Sequence, residues 1–237
     1  MAGIFLVGDD NLHATLQFQV DTTDARQPAR AVYPTYAGTL APHHPLAFTQ
    51  DPCNMTTRLE SLDHIHQACW QELGKAPRNK AHGFRVLGLA TVNGEVADLR
   101  SVVLREVLAD EQTLLFFTDA RSPKVAQIQR QAAGTLLAWC ERLGWQLRLR
   151  VQLGVQTSGL AVSSRWARLK MTPAAQDYLS PLPPGAPMGH PRPERGTSDH
   201  FAVVQARVQS IDWLELHAEG HRRALFDPHG QGQWLTP

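Results

Sequence analysis

From residue 84 onward the hydrophobic positions of this chain fall into short alternating or continuous blocks separated by turn residues, a pattern that predicts strands. FRVLGLATV runs into Asn93-Gly94, the pair favoured in tight hairpin turns, and EVADLRSVVLREV is its partner strand. Asp110-Glu111 turns the chain into TLLFFT, and TLLAWCE and WQLRLRVQLGV follow on either side of Gly144. In the last of these, Trp145, Leu147, Leu149 and Val151 share one face and Gln146, Arg148, Arg150 and Gln152 the other. HFAVVQARVQSI, DWLEL, HRRALF and a closing WLTP return the chain to strands.

The helical period is confined to a few stretches. TRLESLDHIHQACWQEL places Leu62, Ile65, Cys69 and Leu73 at steps of three and four, with a Thr cap before it and Gly74 as its end. Ser122 caps a second helix, Pro123 takes its first position, and it runs to about Gln131. SSRWARL and TPAAQDYL are short helical stretches, and PLPPGAPMGHPRPERG reads as a loop or lid. Residues 1–55 lack sustained periodicity, apart from a candidate strand at LHATLQFQV, and read as a poorly defined N-terminal extension to a compact domain over 56–237. The fold class expected is mainly β with α additions, an antiparallel barrel.

Composition narrows the function. The 237 residues are 43% hydrophobic, enough for a real core, and the formal net charge of +1 gives no global attraction to nucleic acid or an acidic membrane. No apolar run reaches the length of a membrane span, and MAGIFLVGDDN is a poor secretory leader. Cys53, Cys69 and Cys140 form no C-x-x-C pair and read as reduced thiols of a cytoplasmic protein. His64 and His66 are two apart on a helix and cannot share a ligand, and His43-His44, His217 and His221 have no matching Cys, Asp or Glu at ligand spacing, so no metal is expected.

The chemistry concentrates in RSVVLREVLADEQTLLFFTDARSPK, residues 100–124. The helix that starts at Ser122 offers free amides and a positive dipole end; Arg121 and Lys124 flank it, and Ser122 and Thr118 add hydroxyls. Such a set suits a phosphate monoester. Arg100 and Arg105 precede it. They are five positions apart, so a regular strand sends them to opposite faces; either a bulge intervenes or one serves another site.

Arg100-Ser-Val-Val-Leu-Arg105, Phe117-Thr118, Arg121-Ser122-Pro123-Lys124 and Trp145-Gln146-Leu147-Arg148, in that order and spacing, resemble the pyridoxamine 5′-phosphate oxidase family, and most of all its oxidase-related, FMN-binding branch. The resemblance covers about 57–237 and is strongest over 84–152. It implies an FMN-binding split β-barrel, antiparallel and Greek-key-like, working as a homodimer with FMN at the interface. It further implies that Arg100, Val102 and Val103 contact the flavin and its ribityl phosphate. Phe117 and Thr118 flank the ribityl chain, and Ser122 and Lys124 form the phosphate turn, with Pro123 replacing a cation common there. Gln146 reaches the flavin of the other subunit, and Trp213 and Arg223 close over it. On the substrate side Arg105 stands where the oxidases carry Lys, with Arg168 and Thr172 at the places of an Arg and a Ser. Ser164 lies near the place of a Tyr, and His221 is a hydrogen-bond candidate. No catalytic residue is assigned.

The function implied is an FMN-dependent oxidoreductase that takes a hydride from a small substrate bearing an anionic group. The alternatives are a non-catalytic flavin- or haem-related carrier, and a barrel that binds another phosphorylated ligand at the Ser122 turn.

Overall fold

The computed structural model describes residues 58–192, 194–196 and 199–237. The 1–55 extension and its candidate strand lie outside them. Eight strands form one antiparallel sheet: β1 (Val86–Asn93), β2 (Val96–Leu108), β3 (Thr113–Asp119), β4 (Ala133–Cys140), β5 (Trp145–Gln156), β6 (Phe201–Glu215), β7 (Arg222–Phe226) and β8 (Gly232–Leu235). Their order is β3-β2-β1-β4-β5-β6-β7-β8, and β3 also pairs with β6, so the first six close into a barrel while β7 and β8 extend from it. Three helices decorate it: α1 (Leu62–Lys75), α2 (Pro123–Arg130) and α3 (Leu160–Lys170).

Alternation fills the barrel as the sequence predicts. Trp145, Leu147, Leu149 and Val151 point inward and meet Leu87, Leu89, Leu104, Phe116 and Leu136 in one core, onto which α1 packs Ile65, Cys69 and Leu73. A smaller cluster lies outside β3, where Phe201 touches Phe117 (5.0 Å between ring centroids), Trp166 (5.4 Å) and Tyr178 (5.3 Å).

Local details differ from expectation in two helices. Ser61, not a threonine, caps α1, its hydroxyl accepting from His64 N. The helix runs through Gly74 to Lys75 and ends as Ala76-Pro77-Arg78 tightens into a 3-10 turn. TPAAQDYL forms a single 3-10 segment, Pro173–Tyr178. HFAVVQARVQSI and DWLEL are one strand, bent where Gln209 stands outside the β5–β6 pairing, between Val208 and Ser210.

Candidate functional site

Two irregularities of backbone build the site. The first is in β2: Leu104 pairs with Phe116 and Glu106 with Leu115, which leaves Arg105 as an extra, unpaired residue. The bulge does not bring Arg105 round to the face of Arg100. Arg100 pairs with Leu89 on the inward register and Arg105 stands out beside Phe117, its guanidinium 5.9 Å from the ring centre, so the two keep the opposite faces that their spacing predicts and serve different sites; the bulge shifts the phase only beyond residue 105. The second is the turn after β3. Ser122 N donates to Asp119 O (3.0 Å), and Ser122 sits in an extended conformation at the start of α2 without capping it through its side chain.

The hydroxyl of Ser122 is held by Lys124 instead. Lys124 Nζ donates to Ser122 Oγ (2.6 Å) and Thr118 Oγ1 (3.0 Å), and among the described residues it makes no ion pair. Burial lowers the Lys124 pKa, and the nearby Arg100 guanidinium lowers it further. Arg100 itself is engaged: it pairs with Asp98 (2.6 Å) and donates to Gln127 Oε1 (3.0 Å) and Thr91 Oγ1. Arg121 is not a free cation at this end of the helix. Its guanidinium is bidentate on the buried Asp119 (3.1 and 2.7 Å) and donates to the Ser180, Pro181 and Leu182 carbonyls.

Above the turn lies a cleft of about 190 Å³. Val102, Val103, Arg105, Phe117, Thr118 and Lys124, all singled out in the sequence, line it together. Ser122 joins them through Lys124. Two further wall residues, Asp177 and Tyr178, had no strong sequence signal, because they arrive on a 3-10 segment far along the chain. Tyr178 is buried; desolvation raises its pKa, and a hydrogen bond and the charge of Arg105 oppose that rise. The phenol beside Arg105 thus comes from Tyr178, whereas Ser164 is exposed and Trp166 packs against Tyr178 and Phe201.

Other sequence candidates lie elsewhere in this chain. Arg168 borders a second cleft, of about 370 Å³, that Arg105 also lines and to which Arg78 adds a third cation. Its one acid, Glu106, pairs with Arg165 (2.7 Å) and, more distantly, with Arg168 (3.7 Å). Thr172 Oγ1 donates to the Leu169 carbonyl (2.8 Å) at the end of α3. His221 is exposed, and its Nδ1 accepts from His217 N (3.1 Å). Trp213 is fully buried among the core aromatics, 5.5 Å from Trp145 between ring centroids, so it does not line the cleft. Gln146 is half-buried on the outer face of β5, and Arg223 on β7 pairs with Asp212 (2.8 Å).

The outer face next to the cleft is apolar. Leu99, Leu137 and Trp139 are 67%, 44% and 43% exposed. Gly88 lies between Leu99 and Leu137, and a Cβ there would meet both side chains (3.6 and 3.8 Å). Ser101 and Val103, on the same face of β2, continue into the cleft wall.

Residues 66–157 match a family model described as pyridoxamine 5′-phosphate oxidase, FMN-binding domain. Among solved structures, a pyridoxamine 5′-phosphate oxidase-related, FMN-binding protein from Nostoc punctiforme is 24% identical, with a TM-score of 0.58 over 76% of this chain and 100% of that one. PhzG from Burkholderia lata, solved with tetrahydrophenazine-1-carboxylic acid, is 14% identical, with a TM-score of 0.57 over 76% of this chain and 98% of its own. At these identities the structures establish a common fold, the split barrel. No curated protein matches the chain.

Proposed function

We propose that this chain, which carries a split-barrel domain of the pyridoxamine 5′-phosphate oxidase-related FMN-binding family, itself binds FMN at a homodimer interface and acts as an FMN-dependent oxidoreductase. The observation that carries the reading is Lys124. A partly buried ammonium has two hydroxyls for company, a second cation close by and no carboxylate on it. That arrangement is unfavourable on its own and becomes favourable when a phosphate arrives. At the start of α2 Pro123 has no N–H and Val125 N donates to Ser122 O (2.9 Å), so the Lys124 amide is the backbone donor that joins the ammonium.

The remaining wall suits the rest of the cofactor. Val102, Val103 and Phe117 give an apolar side that excludes water from a ring system. Arg105 places a cation, and Tyr178 a phenol, where negative charge on the ring or on a substrate would be stabilised. Bound FMN supplies the hydride and electron chemistry. Arg105 also lines the second cleft with Arg168 and Arg78, which favours a small substrate with an anionic group. For a haem the cleft residues offer no His, Cys or Met, and the one candidate iron ligand is the Tyr178 phenol, whose burial disfavours the phenolate that would bind iron.

A cleft of about 190 Å³ is smaller than the roughly 300–1,000 Å³ of usual ligand pockets, which supports completion by a second copy. The exposed apolar face that runs into the cleft wall is the surface for it. The test is an absorption spectrum of the protein after incubation with FMN and removal of the excess, followed by pyridoxine 5′-phosphate without oxygen. Retained flavin supports the binding claim, and bleaching makes the vitamin B6 reaction the mechanism. Retained flavin that does not bleach leaves another substrate or a carrier, and no retained flavin refutes the reading.

A further inference from the structure

Arg121 stands inside the turn that would receive the phosphate, yet its guanidinium faces away from it. It reaches about sixty residues along the chain to Ser180 O (2.8 Å), Pro181 O (3.0 Å) and Leu182 O (3.3 Å). The same guanidinium is locked by Asp119, which is 4% exposed and also accepts from Arg121 N (2.7 Å). The neighbouring backbone reinforces the junction: Ala120 N donates to His200 O (2.6 Å) and His200 N to Tyr178 O (3.1 Å). The residues just before these carbonyls are Asp177 and Tyr178, the late-arriving wall of the cleft.

We infer that Arg121 is a positioning residue that fastens the strap 173–182 to the phosphate turn, so that occupancy of the turn and placement of Asp177 and Tyr178 share one equilibrium. The physical link is short. Thr118 and Ser122, which hold Lys124, bracket Asp119 and Arg121 in sequence, so any shift that optimises the turn around an anion moves the base of the guanidinium fork. A planar fork that holds three carbonyls at once transmits this shift; a single ammonium cannot hold the same set. The coupling to an anion rests on the FMN reading, whereas the fastening itself does not.

The test is backbone hydrogen exchange in peptides spanning 176–182, on the full chain with and without FMN. Arg121→Lys keeps a cation on the buried Asp119 but loses the fork. Without FMN, exchange in 176–182 should rise about tenfold in this variant, as expected for the loss of one or more hydrogen bonds to a charged donor, while β1, β4 and β5 stay as protected as in the parent. An Asp119→Asn/Arg121→Gln double variant, which leaves no unpaired charge behind, should show the same rise. Unchanged exchange in both variants overturns the inference. With FMN added, the strap should gain protection in the parent and gain less in Arg121→Lys; equal gains, or bound FMN that protects neither strap, also overturn it. A parent that binds no FMN refutes the flavin reading instead, and the FMN-free comparison then decides the fastening by itself.

Discussion

Lys124 Nζ donates to Ser122 Oγ at 2.6 Å, two residues away across the first turn of α2. The bond ties a cation to a helix start that the Ser122 side chain does not cap. Lys124→Met should therefore weaken FMN at least about tenfold, the scale of a charge-assisted hydrogen bond. Arg100→Ala should weaken it less, because Arg100 is already paired with Asp98 and bonded to Gln127. Fluorescence titration measures both. Equal affinities for the parent and Lys124→Met would remove the phosphate site.

The same lysine makes a prediction without any ligand. Burial, and then Arg100, hold its pKa below the ordinary value of about 10.4. Between the folded and unfolded values the unfolded chain binds more protons, so stability rises with pH across that alkaline window. Urea midpoints of the FMN-free parent, taken relative to Lys124→Met, should climb from neutral pH toward pH values of about 10. A difference that stays flat would mean that Lys124 is not desolvated.

Tyr178 offers an optical readout of the cleft. Burial raises its pKa and Arg105 pulls it down. Subtracting the alkaline phenolate titration of Tyr178→Phe from that of the parent isolates the Tyr178 signal. That component should titrate above the ordinary tyrosine value of about 10, and Arg105→Ala should move it to still higher pH. Movement to lower pH would place Arg105 away from the phenol.

The apolar face predicts an assembly. Leu137→Arg puts a charge between exposed Leu99 and Trp139, beside the cleft wall. Light scattering at micromolar protein should change from dimer to monomer, and FMN affinity should fall with it. A parent that is monomeric in the presence of FMN would contradict the interface.

Acid stability should depend on Asp212. Burial raises its pKa, but hydrogen bonds from Arg223 and Arg148 outweigh this and hold the carboxyl below the usual range. A depressed carboxylate stabilises the fold above its unfolded value of about 3.9, and that contribution is lost as pH falls through the folded value. Urea midpoints of the parent should therefore drop below about pH 4. In Asp212→Asn the drop should be shallower, and the same acid limb in both would assign it elsewhere.

The barrel was legible because its signals are local. Asn93-Gly94 names its own turn, and β5 alternates without interruption. Half of the site was legible for the same reason: Thr118, Ser122 and Lys124 lie within one turn of chain. The rest depends on long-range placement. Nothing near residue 105 announces that the ladder skips it, and no periodicity connects Tyr178 to Arg105. Arg121 shows the limit most clearly: in sequence it belongs to the cationic turn, and only the fold reveals that it serves Asp119 and the distant carbonyls.

The bulge in β2 also bears on how this protein can diverge. Arg105 contributes no rung to the β2–β3 ladder, since Leu104 and Glu106 carry the pairing on either side. Its side chain can therefore be exchanged with little penalty to the sheet, while the number of residues at that point cannot change without turning Val107 and Leu104 out of phase with each other. On the proposed reading, ligand preference lies at a position where the scaffold tolerates variation, and a lineage could explore new substrates there by single substitutions while keeping an intact barrel.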